Sequence, residues 1–267
     1  MKLEQNERPG VSVSKVIAVA GKGGTGKTTL CGMLIKHLSY FDKGNILAVD
    51  ADPNSNLNEV LGVRLPMTLG EIREDTLKNA DKNGLPAGMS KQEYMKFMFG
   101  DALAEEDNYD LLVMGRTQGQ GCYCFINNIL SEQIKKYSGN YSYIIVDNEA
   151  GLEHVSRGTL PDIDIMLLIS DPTRRGVQAA GRVKQIVDHL EQKPGLVKLI
   201  INRAQDGKVS EGVLEEIKIH GLDLLGILSN DDTIYDYDSE GKPSSDIPDD
   251  SLIKTELISI CKKLNLP

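Results

Sequence analysis

Val16-Ile17-Ala18-Val19-Ala20-Gly21-Lys22-Gly23-Gly24-Thr25-Gly26-Lys27-Thr28-Thr29-Leu30 decides how this chain folds. A short apolar run rich in Val and Ile reads as a buried parallel strand. It breaks at glycines and passes into residues that suit a helix start. Gly23, Gly24 and Gly26 allow a tight turn that aims successive N–H groups inward, a concave cradle for phosphate oxygens. Gly21 to Thr28 satisfies the spacing Gly, four residues, Gly-Lys-Ser/Thr. In that pattern Lys27 reaches the β- and γ-phosphates, the Thr28 hydroxyl ligates Mg²⁺, and the helix N-terminus adds partial positive charge. Strand, glycines, Lys-Thr and helix fall in the required order, so the stretch reads as a nucleoside triphosphate site.

Working outward, Ile46 to Val49 reads as a second buried strand that ends at Asp50-Ala51-Asp52-Pro53-Asn54. Ligands of doubly wound sheets bind beyond the carboxyl ends of strands. Two acids emerging there suit Mg²⁺ handling and orientation of an attacking water. Tyr143-Ile144-Ile145-Val146-Asp147 is a hydrophobic strand closed by an acid, the form in which a carboxylate reaches Mg²⁺ through water. Asn148-Glu149-Ala150-Gly151 follows, and Gly151 permits close backbone approach to the γ-phosphate. Further strands are expected at Leu111–Met114, 163–170, 197–202 and 224–228, with helices at about 28–39, 126–137, 175–190 and 252–264 between and after them. Strands alternating with helices make an α/β fold, a doubly wound, mainly parallel sheet flanked by helices. Residues 116–125 are expected as a loop. Residues 1–14 read as a polar leader and 15–267 as a single domain. A helical insertion is expected at about 62–110, with helices at 69–78 and 91–103.

The chain has 267 residues, 40% hydrophobic and 26% charged, with a net charge of −9. That balance disfavours nucleic acid and anionic lipid as partners. No apolar run approaches the roughly 20 residues of a spanning helix, and no signal-type segment opens the chain. Four cysteines, Cys31, Cys122, Cys124 and Cys261, are too few for a disulfide framework at this length, so a reducing cytoplasm is the expected setting. Cys31 reads as a small core residue.

With Lys22 preceding the glycines, Lys22-Gly23-Gly24-Thr25-Gly26-Lys27-Thr28-Thr29 resembles the deviant Walker A loop of MinD, ParA, the nitrogenase iron protein and the arsenite-pump ATPase. The resemblance implies a P-loop NTPase fold of the SIMIBI/MinD-like class and an ATP-sandwich dimer in which Lys22 reaches the partner's nucleotide. It also implies catalytic roles for Lys22, Lys27 and Asp52, with Asp52 holding the water and Asp50 supporting Mg²⁺. Phosphate and base contacts would fall to Gly23, Gly24, Thr25, Gly26, Lys27, Thr28, Thr29, Gly151 and Asn202. In related ATPases an Asn at the strand end meets adenine, the role expected of Asn202.

Gly121-Cys122-Tyr123-Cys124 places two thiols one residue apart, soft donors for Ni, Zn or Cu(I). A closed thiolate site usually needs four ligands, and a two-fold interface would supply them by pairing Cys122 and Cys124 with their copies. On the residues alone, two ordinary loop residues or a redox pair remain alternatives. Together with Asn148 to Gly158, this loop resembles the CooC/AcsF-type nickel-insertion ATPases, with Met114-Gly115-Arg116 and Pro86-Ala87-Gly88-Met89 leaning towards AcsF. That resemblance implies a homodimer that binds ATP/ADP, Mg²⁺ and Ni²⁺, with Zn²⁺ able to stand in, and delivers nickel to carbon monoxide dehydrogenase or acetyl-CoA synthase. Glu153, His154 and Arg157 would lie near the interface, His154 reading equally well as a structural histidine. The rivals are a MinD/ParA-like spatial switch and an iron–sulfur carrier. Against the second, the pair is C-x-C and mid-chain.

Overall fold

The computed structural model describes residues 14–42, 45–82, 84–86, 88–116, 122–148 and 162–267, taking the backbone alone at 81–82 and 122–125. Eight strands form one sheet in the order β3-β4-β2-β5-β1-β6-β7-β8. They are β1 (Lys15–Gly21), β2 (Ile46–Asp50), β3 (Leu103–Glu105), β4 (Asp110–Val113), β5 (Tyr143–Asp147), β6 (Ile165–Ser170), β7 (Leu196–Ala204) and β8 (Leu224–Ser229). Every pairing is parallel except β3 with β4. The fold is the doubly wound α/β sheet that the strand–helix alternation predicts.

Helices α1 (Lys27–Phe41), α2 (Leu57–Leu61), α3 (Leu69–Lys82), α4 (Lys91–Met98), α5 (Cys122–Tyr137), α6 (Arg174–Asp188), α7 (Glu211–Ile219), α8 (Asp232–Ser239) and α9 (Leu252–Lys263) surround the sheet. Side chains alternate across a strand, so β1 feeds two cores. Val16, Ala18 and Ala20 pack with Leu69, Ile126, Ile129, Val177 and Val213 on one face. Ile17 and Val19 pack with Leu30, Leu34, Leu57, Ile253 and Leu257 on the other. Covering both faces explains why the central strands are apolar throughout rather than alternating.

Two segments differ from the sequence expectation. Helix was expected to run through Leu103, but α4 ends at Met98, a 3₁₀ turn spans Phe99–Ala102, and Leu103–Glu105 turns back as β3 against β4. Three residues carry too little alternation to announce a strand; the unpaired edge of β4 supplies the partner. The span 116–125 was expected as a loop, yet α5 begins at Cys122. Cys and aromatic residues are indifferent helix formers, so packing of Ile126, Ile129 and Leu130 decides the matter. The short helices α2 and α8 likewise carry too little apolar periodicity to be read from the sequence.

Both sheet edges are blunted. β3 is three residues long and antiparallel. At the other edge, β8 pairs with β7 through two register shifts, and Lys263 Nζ donates to the Leu225 carbonyl at 2.9 Å.

Candidate nucleotide-binding site

Gly21 closes β1 at φ +153°, where an added Cβ would lie 2.2 Å from the Ile169 carbonyl oxygen of β6. The chain then turns through Gly24 (φ +78°) and Gly26 (φ +88°), values that L side chains seldom adopt. Gly26 caps α1 without any side-chain hydrogen bond, so the first N–H groups of the helix point into the loop with no capping side chain. Thr25 is buried and its Oγ1 donates to the Lys22 carbonyl at 2.9 Å. Lys27 is also buried, its Nζ 3.4 Å from that carbonyl, while Lys22, Gly23 and Gly24 are exposed on the rim.

β7 holds this loop from the side. Asn202 Nδ2 donates to the Thr25 carbonyl at 2.8 Å and its Oδ1 accepts from Arg203 N–H at 2.9 Å. Arg203, at φ +60°, sends Nη1 to the Gly24 carbonyl at 3.0 Å. Sequence reading singled out Asn202 but missed Arg203; the Asn-Arg pair closing an apolar strand is the signal that would have found it. Asn202 and Arg203 also line a cleft of about 380 Å³ with Gly26, Thr29, Asn230 and Tyr235, room for a nucleobase beside the phosphate cradle.

Parallel pairing of β2 with β5 sets Asp50 directly beside Asp147. Asp50 accepts N–H bonds from Asp52 and Leu57, both at 3.0 Å. Among the described residues, neither oxygen of Asp147 receives a well-formed hydrogen bond, though both are buried. A buried carboxylate held only loosely, here by the Thr28 hydroxyl, the Cys31 thiol and the Lys27 charge, is costly unless something charged completes it. With the Thr28 hydroxyl beside it, this donor set of hard oxygens fits Mg²⁺. Asn148 completes the strand end, its Nδ2 donating to the Val19 carbonyl at 3.0 Å; sequence reading gave it no such role. Asp52 lies at the mouth, its Oδ1 accepting from Asn54 N–H at 2.8 Å and Nδ2 at 3.1 Å.

Burial pushes Asp50 up to about 7, helped by the charge of Asp147. Burial likewise lifts Asp147 to about 6, against the pull of Thr28 and Lys27. An acid whose folded-state pKa exceeds its unfolded value favours the fold in its protonated form. The benefit is complete below the ordinary carboxylate range near 3.8 and is lost as pH rises through about 6 to 7. Thermal melts of the nucleotide-free protein should therefore show a lower midpoint at about pH 8 than at about pH 5. Mg²⁺ with nucleotide should raise the midpoint more at the higher pH. Equal increments at both would contradict this.

With this geometry in view, the family comparison is decisive. The model of the CobQ/CobB/MinD/ParA nucleotide binding domain (CbiA) matches residues 16–244. The chain belongs to this family. An uncharacterized ATP-binding protein of Methanocaldococcus jannaschii is 40% identical over 249 residues, which cover 93% of this chain and 98% of that protein. The carbon monoxide dehydrogenase accessory protein CooC of Rhodospirillum rubrum is 30% identical over 249 residues, covering 86% of this chain and 89% of it. The fold agrees with that of the septum site-determining protein MinD complexed with Mg-ADP from Pyrococcus horikoshii, at TM-score 0.69 and 21% identity over 94% of this chain and 96% of that one.

On this CbiA-type scaffold, the first turn of α5 carries Cys122 and Cys124. It follows β4 at the carboxyl edge of the sheet, the edge that also bears the phosphate cradle. Cys31 and Cys261 are free and buried in the core. Gly151, Glu153, His154, Arg157 and the leader up to Val13 lie outside the described residues. Among the described residues, no helix is long and apolar enough to cross a membrane, and no group of three or more His, Cys, Asp or Glu could hold a metal ion.

Proposed function

We propose that this member of the family is a cytoplasmic ATPase that carries nickel to a client enzyme of the carbon monoxide dehydrogenase/acetyl-CoA synthase kind, working as a homodimer. The observation that carries the reading is the Cys122–Cys124 pair at the start of α5, on the same crest as the phosphate loop. The likeness to the CooC accessory protein supports it. Ni²⁺ is the cargo, and two thiols per chain supply half of a four-thiolate site, which a two-fold axis completes. Helix N-termini favour thiolates over thiols, which suits capture of a soft or borderline cation.

In this mechanism Gly23 to Gly26 and Thr29 present backbone N–H groups to the phosphates, and Lys27 neutralises the β- and γ-oxygens. Thr28, Asp50 and Asp147 would hold Mg²⁺, which supplies charge neutralisation between the phosphates when bound. Asp52 orients the attacking water, and Lys22, exposed at the rim, reaches across to the partner's nucleotide. Gly151 approaches the γ-phosphate, and Asn202 borders the base. Closure and release of the two chains change the separation of the thiol pairs, so nucleotide and metal affinities are linked reciprocally.

Anaerobic Ni²⁺ titration of the apo, ADP-bound and ATP-bound protein, with molar mass followed alongside, tests this. One Ni²⁺ per dimer is expected, with an affinity that differs between nucleotide states. Cys122→Ala combined with Cys124→Ala should abolish binding. Stoichiometry of one per monomer, indifferent to nucleotide, would overturn the shared site. Absence of any metal binding would leave a nucleotide switch of the MinD/ParA kind.

A further inference from the structure

A second cavity opens at the margin of the sheet opposite the phosphate loop. β4 begins at Asp110, which pairs with Leu47 near the amino end of β2, whereas Asp50 and Asp147 stand at the carboxyl ends of their strands. The cavity, of about 290 Å³, lies between this margin, the 3₁₀ turn at Phe99 and the last turns of α5. That volume is close to the lower bound of ~300 Å³ for small-molecule pockets. Phe99 and Tyr137 line one wall, their rings nearly parallel at 10° with centroids 6.0 Å apart.

Three hydrogen-bond acceptors share this space. Asp110 and Glu105 stand directly opposite each other in the antiparallel pair of β3 and β4, so their side chains leave the same face, and both line the cavity. Like charges so placed repel. Tyr141 Oη donates to Asp110 Oδ2 at 2.6 Å, and Oδ1 has no partner among the described residues. Nor does any described Lys, Arg or His form an ion pair with either acid. The ammonium of exposed Lys136 lies instead over the Tyr137 ring, 5.1 Å from its centroid. Burial pushes the Asp110 carboxyl up against the pull of Tyr141, and the charge of Glu105 adds to the push. The third acceptor belongs to α5. Gln133 lines the same cavity, is only 4% exposed, and its Oε1 has no hydrogen-bond partner among the described residues. Facing carboxylates and an orphaned amide oxygen both weaken a fold, and both suit a guest rich in donors.

We propose that this cavity binds a small organic cation, a primary ammonium carried on an apolar body. An ammonium has three donors and no acceptor, which matches Asp110, Glu105 and Gln133 Oε1. The Phe99 and Tyr137 rings receive the apolar body and attract positive charge to their faces. A metal ion suits the site less well, since no group of three or more described His, Cys, Asp or Glu could hold one. The cavity shares no residue with the cleft beside the phosphate cradle, so the proposal stands apart from the nickel reading.

The test is calorimetric titration of the full chain at neutral pH with two amines, phenethylamine and putrescine, and with phenethyl alcohol as an uncharged counterpart. At least one amine should bind once per chain, and the alcohol should bind at least about tenfold more weakly than phenethylamine. Asp110→Asn, Glu105→Gln and Gln133→Leu should each weaken amine binding by about tenfold. Glu105 is exposed, so Glu105→Gln should fold even if Asp110→Asn does not. That variant should also raise the melting midpoint of the ligand-free protein by about 1–3 °C, because it relieves the repulsion across the pair. A weaker site in a more stable protein is a result that loss of structure would not produce. Failure of both amines to saturate, equal binding of the alcohol, or unchanged amine affinity in Glu105→Gln would overturn the proposal.

Discussion

Lys27→Met should lower ATP hydrolysis by roughly 10²- to 10³-fold, the loss expected when one preorganised group is withdrawn from developing phosphate charge. Met keeps much of the stem's bulk and removes only the ammonium. Among the described residues its one hydrogen bond is long, 3.4 Å to the Lys22 carbonyl, and its charge also faces the buried Asp147, so its removal should cost the fold little beside the loss of rate. The loop is shaped instead by Gly24 and Gly26 at positive φ and by the Asn202 and Arg203 contacts to the Thr25 and Gly24 carbonyls. Phosphate-release assays beside thermal melts check this. A large loss of rate with an almost unchanged midpoint is expected, and hydrolysis within a few fold of wild type would remove Lys27 from the reaction.

Gly21→Ala should fail for a different reason. The new Cβ would sit 2.2 Å from the Ile169 carbonyl oxygen, and that oxygen belongs to the backbone of β6 in the middle of the sheet. A flexible side chain could swing aside, but a central strand has nowhere to go. Overpacking and an unfavourable φ together cost about 3 kcal/mol or more, a fall of roughly 6–12 °C in melting midpoint for a chain of this size. Calorimetry of the variant decides, and a midpoint within about 2 °C of wild type would show that β1 and β6 can separate without penalty.

Much of this was legible in the sequence because the controlling interactions are local. Val16 to Leu30 carries strand, turn and helix start in one stretch, and the runs ending in Asp50 and Asp147 show acids leaving apolar strands. That these acids stand in register as neighbours is a fact of strand order, which no single segment contains. The same holds for the contacts of Arg203 with Gly24 and of Asn148 with Val19. Each joins residues far apart in the chain through a contact that neither segment's composition announces. The α5 start shows the opposite limit. Cys122, Tyr123 and Cys124 look like loop material by propensity, and helix forms there because Ile126, Ile129 and Leu130 have a core to enter.

The short reversed strand at one margin and the lysine laid over a carbonyl at the other have a bearing on assembly. A ribbon with two open margins invites further copies to add on, stacking without limit. Here a three-residue reversed strand bounds one margin and a lysine lies over a carbonyl of the other, so addition of further copies along the ladder is discouraged and any pairing of two copies would draw on other surfaces.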